Sequence, residues 1–272
     1  GGGGGGSGTE YANGDNKEYP WTENVMVKTN TNSYNAIVEA INQQLGTTET
    51  YLPSEMAAAI AALPTPEPKW QPLNNGKTNC WFEKAGGAIQ LTCRGSSANA
   101  SITIDWGDGS TPDTQTGNGY KYFNHVYNFG NYIASINGND FSLGYPFEGY
   151  AVGTQFLKKI EVAHPVYSYA FDDHKTLEEI AIMDGCTNIG DEGFYDCHNL
   201  KRIIFDSPRT QDITFTGDLT FAKSYSLREI VLPSNHMPSL PDEFLYSSYF
   251  NGDLVLPEGI TTLASCDQFY GC

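Results

Sequence analysis

The sequence predicts a mainly β chain. A short helical pair lies near its start, strands fill its middle, and a solenoid of stacked short units fills its second half. Three observations predict this. First, a phrase recurs: Leu157-Lys158-Lys159-Ile160, Leu177-Glu178-Glu179-Ile180, Leu200-Lys201-Arg202-Ile203 and Leu227-Arg228-Glu229-Ile230. The starts are 20, 23 and 27 residues apart, and a degenerate fifth copy, Asp253-Leu254-Val255-Leu256, follows 24 residues after the fourth by aligning with Glu229-Ile230-Val231-Leu232. Periods of this size mark solenoids, which present extended binding surfaces. Second, only 39% of the 272 residues are hydrophobic while Gly, Tyr, Asn, Ser and Thr abound, which suits short strands and many turns. Third, β-rich runs between residues 70 and 147 are separated by Gly, Asn and Asp.

Residues 1–20 read as a Gly-rich flexible leader with almost nothing apolar to bury. Residues 21–63 read as a helical attachment segment. Asn32 or Ser33 caps a first helix with an apolar face of Ile37, Ala40, Ile41 and Leu45, and Gly46 stops it. A second helix starts near Pro53 and runs through Met56, Ala57, Ala58, Ala59, Ile60 and Leu63. Residues 64–69 form a stiff Pro-rich linker. Ala36-Ile37-Val38-Glu39-Ala40-Ile41, followed by the run from Gly46 through Pro53-Ser54-Glu55-Met56-Ala57 to Ile60, resembles a helix-turn-helix segment of phage and prophage tail-associated and virion proteins. The resemblance covers about 30 residues and implies an attachment role ahead of receptor- or carbohydrate-binding modules.

Between 70 and 147, Ala88–Thr92, Ser101–Trp106 and Tyr132–Ile136 read as strands. Ile104-Asp105-Trp106-Gly107-Asp108-Gly109-Ser110 ends one of them in a tight turn. Gly107 and Gly109 supply positive φ there, and Asp108 bonds its own backbone. His125-Val126-Tyr127 and Gly130-Asn131-Tyr132-Ile133 follow. In this order and spacing the three parts resemble the polycystic-kidney-disease (PKD) type of immunoglobulin-like domain, which implies a β-sandwich over 70–147.

Residues 148–272 carry the repeats. Ile189-Gly190-Asp191-Glu192-Gly193-Phe194-Tyr195-Asp196-Cys197-His198-Asn199-Leu200 resembles the BspA-like leucine-rich repeat. Strand alternation sends Ile180 and Ile182 inward and Glu179 and Ala181 outward, and likewise points Lys159, Arg202, Glu229 and Asp253 to solvent. The chain stops at Cys272, where another Leu-x-x-Ile would begin. That suggests a half unit covered by an oligomeric contact, or a truncation.

A net charge of −17 argues against nucleic acid and anionic membranes as partners. No run of apolar residues reaches the length of a bilayer-spanning helix. The six cysteines show no zinc spacing. Cys80 and Cys93 could face each other on neighbouring strands as a disulfide, or stay reduced. Cys197 and Cys272, in matching Phe-Tyr-x-Cys phrases, read as small core residues. Asp105, Asp108 and Asp113 read as turn formers rather than calcium ligands, and His125 as a packed strand residue. No cofactor, metal or catalytic set is expected.

The candidate binding residues are Tyr120, Tyr122 and Phe123, placed beside a loop after Gly117-Asn118-Gly119, and the outward charges Glu179, Arg202 and Glu229. The expected function is a non-enzymatic structural or adhesion protein of a phage virion, a tail or head appendage at the virion surface or otherwise extracellular. It would bind virion proteins through its N-terminal segment, meet a host surface glycan or protein receptor, and form a homo-oligomer. A bacterial cell-surface adhesin, a self-assembling fibre or lattice protein, and a glycan hydrolase are the alternatives.

Overall fold

The computed structural model describes residues 16–21, 25–30, 37–43, 46, 48, 55, 69–144, 152–250, 252–263 and 267–272. The chain divides into two compact units, Gly1–Gln71 and Pro72–Cys272.

In the first unit, β1 (Asn16–Trp21) and β2 (Val25–Asn30) form an antiparallel hairpin with Tyr19 opposite Val27. This corrects the assignment of residues 16–20 to a leader and of 21–30 to a helical segment. A strand-forming Val-x-Val run and a three-residue connection pair more readily than they coil. Residues 37–43 are helical, and Gly46 takes a left-handed φ of 66°. The buried pair on this helix is Val38 and Ile41, whereas Ile37 and Ala40 are exposed, so the apolar face is rotated from the expected one. Leu45 and nearly all of the expected second helix and Pro-rich linker lie outside the described residues.

The second unit is built on β3 (Thr78–Gly95) and β6 (Gly119–Asn139), paired antiparallel along their length with register shifts between Phe82 and Gly87. On the far edge of β6 lie β4 (Ser101–Asp105) and then β5 (Asp113–Thr116). On the far edge of β3 lie β7 (Phe141–Leu143), at Cys93–Gly95, and β8 (Leu157–Val162), at Asn79–Phe82. From β8 the ladder turns parallel, through β9 (Glu179–Ile182) and β11 (Arg202–Phe205) to β13 (Glu229–Val231). All nine strands belong to one hydrogen-bonded sheet. Each half of β3 therefore starts one side of the solenoid. Its first half carries β8. Its second half carries β7, from which the second side runs through the bridges Leu143–Val166 and Val166–Ile189.

That second side continues as β10 (Asn188–Gly190) beside β12 (Thr214–Thr216), and later as β14 (Ser239–Leu240) beside β15 (Thr262–Leu263). The third side is a stack of turns. Left-handed residues recur at Tyr169, Glu192, Leu219 and Glu243, and again at Asp173, Asp196, Lys223 and Ser247. Backbone bonds step from turn to turn, as in Phe171 N to Gly193 O at 2.9 Å and Phe194 N to Thr220 O at 3.0 Å.

The repeat explains the core. Leu157, Leu177, Leu200 and Leu227 are buried, as are Ile160, Ile180, Ile203 and Ile230. Each contributes about 1.5–3 kcal/mol by leaving water. Phe171, Phe194 and Phe221 stack along the axis at 4.7 and 5.3 Å. At the position of Cys197, successive units place His174, Ser224, Ser248 and Cys272. Cys197 Sγ, Ser248 Oγ and Cys272 Sγ each donate to a carbonyl of the preceding turn. Burial raises the Cys197 thiol pKa well above its ordinary value.

Three buried features were not legible from the repeat, two of them charged side chains. Glu161, fully buried, accepts from Leu73 N at 3.0 Å, Asn74 N at 2.7 Å and Asn79 Nδ2 at 2.8 Å. Arg209 is 2% exposed and donates to the carbonyls of Met183, Asp184, Cys186 and Gln211, tying two consecutive loops together. Ala181, expected outward, is fully buried because the outer face of the first side is itself covered near Glu161, its register partner. Cys80 and Cys93 are free and both lie on β3, not on neighbouring strands, so no disulfide joins them.

The Gly-Asp-Gly turn has the expected backbone. Gly107 and Gly109 have φ of 73° and 83°, and a Cβ on Gly107 would lie 2.2 Å from Ile133 O. Asp105 accepts from Gly107 N, Asp108 from Ser110 N, and Asp113 from Trp106 Nε1 at 2.7 Å. His125 stacks on the buried Trp106 at 4.6 Å and reaches Asp108 at 2.8 Å, while the Tyr127 hydroxyl donates to Trp106 O at 2.7 Å. Hydrogen bonds from Ser110 and His125 lower the Asp108 carboxyl to about 2.

Candidate recognition surface

Two of the sequence-predicted aromatics reach solvent. Tyr120 and Tyr122 stand on β6 opposite Arg94 and Thr92, in a strand rather than a loop. Tyr120 meets the Tyr167 ring at 6.4 Å, and the Arg94 guanidinium covers Tyr167 at 4.9 Å. Phe123 is a correction: it is 1% exposed and packs in the core, because alternation along β6 turns it to the opposite face from Tyr122. A ligand cannot reach it.

Glu179, Arg202 and Glu229 come together in one row. Register sets Lys159, Glu179, Arg202 and Glu229 side by side on the outer face. Lys159 Nζ lies 3.4 Å from Glu179, Arg202 Nη1 3.5 Å from Glu179, and Arg202 Nε 3.4 Å from Glu229. The signs alternate, so the row is an ion-pair ladder and its charges are spent on one another. A parallel row joins Lys158, Glu178 and Lys201, the last at 2.6 Å.

The third side carries a set that residue-by-residue reading missed. His198, Tyr225 and Tyr249 occupy one repeat position; His198 stacks on Tyr225 at 4.9 Å, and Tyr225 meets the tilted ring of Tyr249 at 5.2 Å. Tyr246 and Tyr270 stack at 5.3 Å in the adjacent row, where Lys223 covers the Tyr195 ring at 4.7 Å. Tyr249 and Tyr270 are 65% and 60% exposed. The Lys223 ammonium donates a hydrogen bond to the Tyr195 hydroxyl oxygen, and this raises the Lys223 pKa. Beside these rings runs an acidic ridge of Asp191, Glu192, Asp218, Asp242 and Glu243. Burial, and then the neighbouring Asp191 and Asp242, raise the carboxyls of Glu192 and Glu243. The signal was present: Tyr225 and Tyr249 are 24 residues apart, and Tyr195 and Tyr270 share a Phe-Tyr-x-Cys phrase. It is visible only once the units are superposed.

Taken together, the parallel ladder, buried leucines and stacked turns define a leucine-rich-repeat β-solenoid. Residues 157–272 match the BspA type leucine rich repeat region in six copies. No curated protein and no solved structure matches the chain. No helix among the described residues is long and apolar enough to cross a membrane. Among them, no cluster of three or more His, Cys, Asp or Glu side chains is arranged to hold a metal ion.

Proposed function

We propose that this chain is a non-enzymatic recognition protein whose solenoid binds a host surface glycan through its third side. The aromatic column His198–Tyr225–Tyr249, half-buried at its first two rings and open to solvent at Tyr249, flanked by the half-buried Tyr246 and the exposed Tyr270, carries this reading. Tyrosine rings offer an apolar face to the C–H side of a sugar and a hydroxyl to its rim. A column with one ring per repeat suits a ligand that itself repeats. The neighbouring carboxylates and Lys223 add hydrogen-bonding groups.

In this reading the residue 70–147 region is a PKD-like module, supported by the joint packing of Trp106, His125 and Tyr127 around the Gly-Asp-Gly turn. The setting is a phage virion appendage at the particle surface, held by the N-terminal segment, as the helix-turn-helix resemblance at 36–60 implies. Receptor binding by a homo-oligomer belongs to the same proposal.

A glycan array probed with the full chain tests it. Binding to a restricted glycan set, weakened at least tenfold by Tyr225→Ala with Tyr249→Ala at unchanged melting temperature, is expected. Equal binding by the variant contradicts it.

A further inference from the structure

Among the described residues, the fifth repeat unit bonds to the fourth through its backbone on two of its three sides. On the second side Thr261 N donates to Pro238 O at 3.0 Å. On the third side Leu245 N and Ser247 N reach Gln268 O and Tyr270 O at 2.8 and 2.7 Å. The first side is different. In earlier units Glu178 N bonds Lys158 O, Lys201 N bonds Glu178 O, and Arg228 N bonds Lys201 O. Among the described residues, no backbone hydrogen bond joins 252–258 to β13.

The sequence explains the gap. The first position of the unit, leucine in the four preceding copies, is Asn251 in the sequence, so the apolar anchor of those copies is not repeated. The charge ladder also fails there. Lys159, Glu179, Arg202 and Glu229 alternate in sign, but the next residue in register is Asp253, and like charges directly opposite repel.

What remains is a groove of about 720 Å³ between Ile230 and Val231 on one wall and Val255 and Leu256 on the other, rimmed by Asp253 and Glu258. Glu229 N bonds Lys201 O, toward β11. Backbone groups alternate along a strand, so the N–H and C=O of Ile230 face the open edge. An open edge beside apolar walls is the setting of strand addition.

We propose that this groove takes up an extended segment of another protein as an added strand, with an apolar residue over Val231 and Val255 and a Lys or Arg between Glu229 and Asp253. The incoming cation would restore the alternation that Asp253 breaks. A basic, β-branched segment of a different protein fits this charge better than a second copy of a chain carrying −17. The proposal concerns a different face from the aromatic column and does not rest on it.

The test is amide hydrogen exchange at Ile230 in the full chain, with a synthetic peptide Leu-Thr-Lys-Ile-Thr-Val titrated in. We expect Ile230 to exchange at least tenfold faster than Ile203 in the free protein and to slow on saturable peptide binding. Replacing the peptide's Lys by Glu should weaken binding at least tenfold. So should Asp253→Lys in the protein, which lets the fifth copy pair with β13 and close the groove. Ile230 protection equal to that of Ile203 without peptide, absence of binding, or indifference to the peptide's charge would overturn the proposal. So would a dimer in light scattering that Asp253→Lys dissolves, which would make a second copy the occupant.

Discussion

His174 shows what a single position in a repeat can conceal. It takes the place that Cys197, Ser224, Ser248 and Cys272 hold in later units. It is fully buried, and neither ring nitrogen has a hydrogen-bond partner among the described residues. Burial holds its pKa down at about 4, and burial does the same for His164. In the unfolded chain each titrates near its ordinary 6.5. Between pH 6.5 and 4 the unfolded state therefore binds more protons, and stability falls as the pH drops through that window. The slope is at most about 1.4 kcal/mol per pH unit for each histidine. Urea denaturation at pH 7 and pH 5 should show the loss, and His174→Ser should remove about half of it. The sequence placed His174 among repeat loops. Nothing in it showed burial, because the ring replaces a small residue only when the units are stacked. Phe123 failed in the opposite sense. Its neighbours Tyr120 and Tyr122 are exposed, and the strand pairing of β6, rather than a loop, sets which side each ring faces.

At the scale of elements, the recurring Leu-x-x-Ile was a reliable guide. β8, β9, β11 and β13 begin within two residues of each phrase's leucine, and their alternate residues fill the core. The outward charges were legible as outward. Their pairing was not, because the spacings of 20, 23 and 27 conceal that Lys159, Glu179, Arg202 and Glu229 fall in one row. Arg202 is the centre of that row, and its side chain is only 14% exposed. Arg202→Ala should leave two carboxylates facing each other and cost about 2 kcal/mol, between the values of exposed and buried pairs. Denaturant midpoints at low and high salt check this, and the loss should shrink as salt screens the two glutamates. The β1–β2 hairpin was missed for a simpler reason. The hairpin strands are six residues each, and the glycine-rich residues before them mask so short a β pattern.

At the scale of the molecule, the sequence suggested modules joined end to end. The structure instead grows the solenoid out of β3, whose two halves start its first and second sides. A solenoid needs its end strand covered. The antiparallel pair β3–β6 supplies that cover, and Glu161 fastens the residue 73–74 segment over the junction. No local motif announces such an arrangement, since it depends on a strand of 18 residues bending where its register shifts. A register fixed from β3 to β13 also aligns the ion-pair rows, and the same stacking aligns the aromatic column on which recognition is proposed to depend.

The most direct test is native-state hydrogen exchange across Pro72–Cys272 at increasing denaturant. A single sheet predicts that the amides of Cys80, Ala134, Ile160, Ile180 and Ile203 converge on one global opening free energy. Separate openings, with Cys80 and Ala134 exchanging in one transition and Ile160, Ile180 and Ile203 in another, would contradict it and make the two regions independent modules.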